Sequence, residues 1–90
     1  MGCYEDDGDR ILPHEEINNN IAMTVDMCRN HCTQKGYSFY GLEDGQQCFC
    51  GNVIKSGYLK VSDNQCDRTC TGDPTKTCGG SWRIAIYQVV

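Results

Sequence analysis

Eight cysteines fall within 90 residues, at positions 3, 28, 32, 48, 50, 66, 70 and 78, and nothing else in the chain constrains its fold as strongly. A chain this short removes a smaller share of its surface from water than a larger one does. Hydrophobic residues make up 39% of it, but that figure includes the cysteines, so the apolar stock left for packing is thin. An even number of cysteines at this density reads as a disulfide scaffold with no obligatory free thiol. Such bonds persist outside the cytosol, and the expectation is a secreted or extracellular protein built as one domain over residues 1–90.

Charge and hydropathy remove several function classes. No stretch approaches the roughly 20 apolar residues of a membrane span, so no membrane insertion is expected. The start, MGCYEDD, has neither the basic residues nor the apolar run of a signal peptide; the chain is expected to be mature or excised, with Met1 a start-codon residue. A formal net charge of −4 with 8 unclustered Lys and Arg argues against nucleic acid and anionic membrane surfaces as partners. There is no Asn-x-Ser/Thr acceptor, so N-glycosylation is not expected.

Local patterning gives an α+β reading. Residues 5–20 are polar and turn-rich, an irregular excursion that Ile11, Leu12 and Ile17 would anchor. In MTVDMCRNHCTQKG, residues 23–36, Thr24 is an N-cap, Asp26 lies in the first turn, Lys35 in the last and Gly36 at C′, which predicts a short helix. Met23 would staple against Cys28. Aromatic residues alternate through 37–43 and 46–50 around Asp44-Gly45, a pair that favours a tight hairpin turn. The closing WRIAIYQVV predicts a further strand, with Ile84 and Ile86 on one face and Arg83, Ala85 and Tyr87 on the other. Residues 51–81 read as loop, apart from one helical turn opening at Ser62 with Gln65 three residues on.

The cysteine spacings fit these elements. On a strand, residues two apart share a face, so Cys48 and Cys50 look one way and Phe49 the other. On a helix, residues four apart share a face, as Cys28 and Cys32 do. Two sulfurs on each element can therefore meet as a double clamp, and Gly51 lets the chain leave the strand afterwards. Spacing does not choose which sulfur of one pair meets which of the other. Zinc is the competing reading, because C-x₃-C occurs twice and His14 and His31 are available. It is set aside: there is no C-x₂-C knuckle, and C-x-C is poorly suited to chelating one tetrahedral ion. His31 reads as a solvated side chain on a different helical face from the clamp. No metal or other cofactor is implied.

The chain resembles a WSC domain, the extracellular cysteine-rich module of fungal cell-wall stress sensors, also found in animal receptors and secreted fungal enzymes. The residues that carry the resemblance are GCY at 2–4, Arg10, Leu12, MT at 23–24, the cysteines at 28 and 32, GLE at 41–43, CFCGN at 48–52, C-x₃-C-x-GD at 66–73 and CGG-x-x-RI-x-x-Y at 78–87. The resemblance implies the pairings Cys3–Cys66, Cys28–Cys48, Cys32–Cys50 and Cys70–Cys78. It also implies a PAN/apple-like architecture: a small disulfide-rich domain with a short antiparallel sheet packed on one main α-helix and four disulfides.

Function is written less directly. Catalysis needs an acid, base or nucleophile in a shaped pocket, and the sequence shows no Ser-His-Asp order, no free thiol and only 2 separated histidines, so an enzyme is not expected. Glu43 reads as a structural carboxylate pairing with backbone or with Arg83. The run Glu5-Asp6-Asp7-Gly8-Asp9 invites calcium, but nothing completes an EF-hand loop and it reads as a solvated acidic loop. Aromatic residues are more numerous than a core with four disulfides needs, so some should be exposed, where a flat ring can match the C–H face of a pyranose. The resemblance implies carbohydrate binding, with β-glucan as the associated polysaccharide. Trp82, Tyr40 and Tyr58 are the candidate contact residues, with Arg83 and Asn52 as polar companions. Packing is the alternative role for each ring. Trp82 and Tyr40 also depart from the family pattern, which commonly has Asn before the Arg and a small residue before GLE. The competing functions are a protein-binding or adhesion module, as in the receptors that carry the module, and a small secreted effector.

Overall fold

The computed structural model describes residues 1–90. Its strands are β1 (Gly2–Glu5), β2 (Glu15–Asn18), β3 (Phe39–Glu43), β4 (Gln47–Gly51), β5 (Lys60–Val61), β6 (Thr69–Cys70), β7 (Asp73–Thr77) and β8 (Arg83–Gln88). One α-helix, α1 (Val25–Gln34), lies between β2 and β3, and a 3-10 turn spans Asp63–Gln65. Six strands form one antiparallel sheet in the order β2-β4-β3-β8-β1-β5, while β6 and β7 make a separate pair. This is a small disulfide-rich α+β fold.

The helix forms where its end signals stand. Thr24 caps it, its hydroxyl accepting from the Met27 N–H at 3.0 Å. Gly36 leaves it at φ 82, in the left-handed region that a side chain disfavours. Met23 is fully buried beside Cys28 in the same cluster. The β3–β4 turn has Asp44 at φ 57 and Gly45 at φ 79, with the Gln46 N–H donating to the Glu43 carbonyl. Positive φ at both central residues gives the mirror-image turn whose twist suits a hairpin.

The sheet is buried on both faces. On one side Tyr40, Leu42, Cys48 and Cys50 pack with Met23, Cys28, Cys32, Cys70 and Cys78. On the other Phe49, Ile84 and Ile86 pack with Ile11 and Leu12 from the connection between β1 and β2. Strand alternation makes this division, and β8, which supplies Ile84 and Ile86, sits centrally between β3 and β1.

All eight sulfurs are paired, as Cys3–Cys66, Cys28–Cys48, Cys32–Cys50 and Cys70–Cys78. Four helical residues rise about 6 Å and two strand residues about 6.7 Å, so the double clamp closes with little misfit. The pairs run in sequence instead of nesting, because α1 and β4 point the same way. The chain reverses once from α1 into β3 and again from β3 into β4. Cys28, Cys32 and Cys48 sulfurs come within 4.8 Å of one another because the two bridges lie side by side, and each sulfur is already bonded.

Three local expectations are corrected. Residues 15–18, read as irregular, form β2 on the edge of the sheet beside β4; Ile17 is its one apolar residue, and one apolar residue carries no readable period. The 51–81 stretch, read as loop, contains β5, β6 and β7, of which β5 and β6 are 2 residues each. His31 is not a solvated side chain: it pairs with Glu15 of β2, and that hydrogen bond holds the Glu15 carboxyl below the ordinary range.

Loop length ranks the bridges. On the chain-entropy model, Cys3–Cys66, separated by 63 positions, stabilises by about 4 kcal/mol. Cys70–Cys78, separated by 8, stabilises by about 2.5 kcal/mol. Guanidinium unfolding of the Cys3→Ser/Cys66→Ser and Cys70→Ser/Cys78→Ser proteins should show the first losing more stability than the second.

Candidate functional site

The site is built on a turn that a bulky residue should avoid. Ser81 and Trp82 occupy the corners of a tight turn in which the Arg83 N–H donates to the Gly80 carbonyl at 3.2 Å. Trp82 sits at φ 51, a conformation favoured by Gly and tolerated by Asn. The family pattern commonly carries Asn here, so this chain puts an indole where the backbone prefers a small polar residue. Strain held at such a position is an observation from which a functional role can be argued. The turn itself is fixed: the Trp82 carbonyl accepts from the Asp6 N–H at 3.1 Å, and the Asp44 N–H donates to the Gly80 carbonyl at 3.1 Å. Gly79 permits that approach. It lies at φ 74, and a Cβ there would fall 2.1 Å from the Leu42 carbonyl oxygen.

Trp82 does not stand free on its inner side. The Arg10 guanidinium lies 5.1 Å from the Trp82 ring and 4.9 Å from the ring of Phe49, a cation held by two aromatic groups. Its Nη1 also faces Asp6 Oδ2 at 3.5 Å and Glu43 Oε2 at 3.4 Å. Both carboxyls are buried. Asp6 is well satisfied, since its Oδ1 accepts from the Asp7 and Ile11 N–H groups, each at 2.9 Å. Glu43 is not: its Oε1 is buried with no partner.

One guanidinium cannot neutralise two buried carboxylates, so the cluster keeps a proton. Burial is the main cause, with the neighbouring Asp6 second, and together they push the Glu43 carboxyl up to about 9. At neutral pH Glu43 is therefore a neutral acid beside the Arg10–Asp6 pair. Arg10, Glu43, Asp44, Gln47, Ser81 and Trp82 line a cleft of about 130 Å³ at this end of the sheet.

The residues singled out in the sequence fall in different places. Trp82 is 51% exposed and stands at the cleft. Tyr58 is near the same end of the sheet: its hydroxyl donates to Asp7 Oδ1 at 2.6 Å, and that bond is the main reason its phenol is pushed up to about 12. Arg83 donates through Nε to Gln65 Oε1 at 2.6 Å and through Nη1 to the Trp82 carbonyl at 2.9 Å, so it braces the turn. It does not pair with Glu43, as expected from sequence, because alternation along β8 turns it away from the Ile84 face; Arg10 takes that role.

Two candidates are corrected. Tyr40 is only 6% exposed and stacks on Tyr87, with ring centroids 5.1 Å apart, so it belongs to the core beside the double clamp. Asn52 lies beyond the end of β4 remote from the β3–β4 turn, where its Oδ1 accepts from the Ser38 N–H and its own N–H donates to His14 Nδ1, both at 3.0 Å. It secures a chain crossing far from Trp82. The acidic loop is also more than solvated, since Asp6 is buried in it. Arg10, Gln47 and Ser81 were not anticipated as site residues. For Arg10 a signal existed, because it is one of the motif positions, but its contact with Glu43 spans 33 residues, which no local spacing reveals.

Comparison with known proteins decides the family. The profile described as WSC domain matches residues 1–80. The chain belongs to the WSC domain family. It is 36% identical over 92 residues to a WSC domain-containing protein of Arthroderma benhamiae, covering 97% of this chain and 12% of that protein. It is 34% identical over 91 residues to human Kremen protein 2, covering 99% of this chain and 20% of the other, and 31% identical to human Kremen protein 1, of which it spans 19%. This WSC chain thus corresponds to a small part of each longer relative. The WSC domain is an extracellular module type, and no helix of the chain is long and apolar enough to cross a membrane. Trp82 and β8 lie just beyond the profile match.

Glu43 sets a pH dependence whose sign follows from its proton. The unfolded carboxyl loses it near 4.5 and the folded one near 9, so the stability that Glu43 contributes is full below the first value and falls as pH rises toward the second. Thermal melts from pH 5 to pH 9 should show Tm dropping at least about 5 °C more for the wild type than for Glu43→Gln, the shift that roughly 1 kcal/mol produces in a chain of this size.

Proposed function

We propose that the 90 residues act as one secreted or extracellular, non-catalytic carbohydrate-binding module. It holds a polysaccharide of β-glucan type on a shallow surface centred on Trp82. The observation that carries this reading is the indole itself: half in solvent, fixed at a strained turn, backed by Arg10 and set beside a cleft of polar side chains. A pyranose presents an apolar C–H face to such a ring, while its hydroxyls meet Gln47, Ser81 and Asp44 at the edge. Arg83 supports the ring through the Trp82 carbonyl. Tyr58 steadies the neighbouring acidic loop through Asp7.

A second reading is a protein-binding or adhesion module. It is favoured by the likeness to the Kremen proteins across 99% of the chain and by exposed apolar side chains that do not line the cleft, Leu59 at 66% and Val53 at 61%. A secreted effector acting on another protein would use the same kind of surface.

Pull-down on insoluble β-glucan, chitin and cellulose separates these readings. Retention on β-glucan should fall at least tenfold in Trp82→Asn, a change that removes the ring at a position where Asn tolerates the backbone, and a cooperative thermal melt should show the variant folded. Undiminished retention in the variant would remove Trp82 from the site. Failure to bind any of the polysaccharides, with saturable binding to a purified extracellular protein, would establish the second reading.

A further inference from the structure

The cleft beside Trp82 has a distinctive supply of hydrogen-bonding groups. Asp6 Oδ1 is taken by two backbone N–H groups, and Asp6 Oδ2 and Glu43 Oε2 share Arg10 Nη1. Asp44 at the rim faces Arg68 at 3.8 Å. What remains is the Gln47 amide, the Ser81 hydroxyl and the unpartnered Glu43 Oε1. Each suits a neutral group that donates and accepts, which is what a sugar hydroxyl does.

The same cleft has no cation to spare. Arg10 is its one positive group, already facing two carboxyls and enclosed by two rings. Asp44 lies on the rim, and Asp7 and Asp9 are exposed on the adjacent loop. An entering carboxylate or sulfate would find the one cation lining the cleft already engaged by two carboxyls.

We infer that this cleft is the specificity subsite of the glycan platform: it takes one hydroxyl of an uncharged sugar, hydrogen-bonded to the Glu43 carboxyl, and rejects sugars bearing carboxylate or sulfate there. The inference rests on the carbohydrate reading above and adds the residues that capture a hydroxyl and exclude anionic sugars. Oε1 is buried, so the side chains lining the cleft must part for a hydroxyl to reach it.

A pH response follows from the groups around Glu43. These are Asp6 and Arg10 from the connection after β1, and Asp44 from the β3–β4 turn, with its partner Arg68 from the segment just before β6. With its proton in place and held toward Asp6, Glu43 is neutral and offers Oε1 as an acceptor to a hydroxyl. Above about 9 it would lose that proton, adding a second negative charge beside Asp6 and breaking the hydrogen bond that fixes the carboxyl.

The test is calorimetric titration with a soluble neutral β-glucan, polygalacturonate and a sulfated β-glucan, on the wild type, Glu43→Gln and the doubly substituted Gln47→Ala/Ser81→Ala. The expected result is neutral glucan binding at least tenfold tighter than either anionic polymer, and at least tenfold weaker in the double variant. Wild-type affinity should decline between pH 8 and pH 10 while Glu43→Gln, which stays uncharged at every pH, stays level. Circular dichroism across the same range separates loss of binding from loss of fold. Equal affinity for the anionic polymers, or neutral binding that depends on Trp82 but is indifferent to Gln47, Ser81 and pH, overturns the subsite and leaves the carbohydrate platform standing. No binding by any polysaccharide overturns both.

Discussion

Two side-by-side disulfides hold α1 against β4, and the rest of the architecture depends on them. A helix of 10 residues is marginal in isolation, and a single hairpin is scarcely better. Joined by Cys28–Cys48 and Cys32–Cys50, each fixes the other, because two bonds define an orientation where one defines only a distance. The buried cluster on this side of the sheet contains more cysteines than aliphatic side chains. Cross-links therefore supplement a core too small to be sufficient by apolar burial alone.

With that side locked, the opposite face of the sheet is free to carry a different kind of interior. There Phe49 turns away from the sulfurs by simple alternation and meets Arg10, whose guanidinium is enclosed between Phe49 and Trp82. The same residue that separates the two clamp cysteines thus supplies one wall of the charge cluster. Buried carboxyls need a partner, and Asp6 and Glu43 have one half-buried guanidinium between them, which is why Glu43 retains its proton. Scaffold and site are linked through a single strand, one face of β4 serving each.

How much of this was legible depends on the range over which each interaction acts. The helix over 24–36, the hairpin at Asp44-Gly45 and the inward faces of β4 and β8 follow from end signals and alternation within a few residues. β2 escaped notice because Glu15-Glu16-Ile17-Asn18 offers one apolar side chain, and its order comes from β4 and from His31 on α1. Alternation puts Tyr40 on the face opposite Phe39 but cannot say whether a face meets solvent or a helix; here it meets the clamp and Tyr87. Asn52 belongs to a motif next to the cysteines, yet strand β4 carries it away from Trp82. The WSC resemblance supplied the disulfide order that spacing left open, and the successive chain reversals through β3 and β4 give that order its physical reason.

The sequence by itself determined the covalent logic and the local elements: paired sulfurs two apart on a strand and four apart on a helix, a capped helix, a hairpin turn and an indole at a position where the family commonly has Asn. These follow from chemistry within one turn or one pleat. Only the tertiary structure decided that Arg10 would lie under Trp82, that Asp6 and Glu43 would share it, and that Tyr40 would be lost to the core. Those outcomes join residues far apart along the chain, and they depend on how buried charges find partners once the sheet is closed on both faces, a balance that no local pattern encodes.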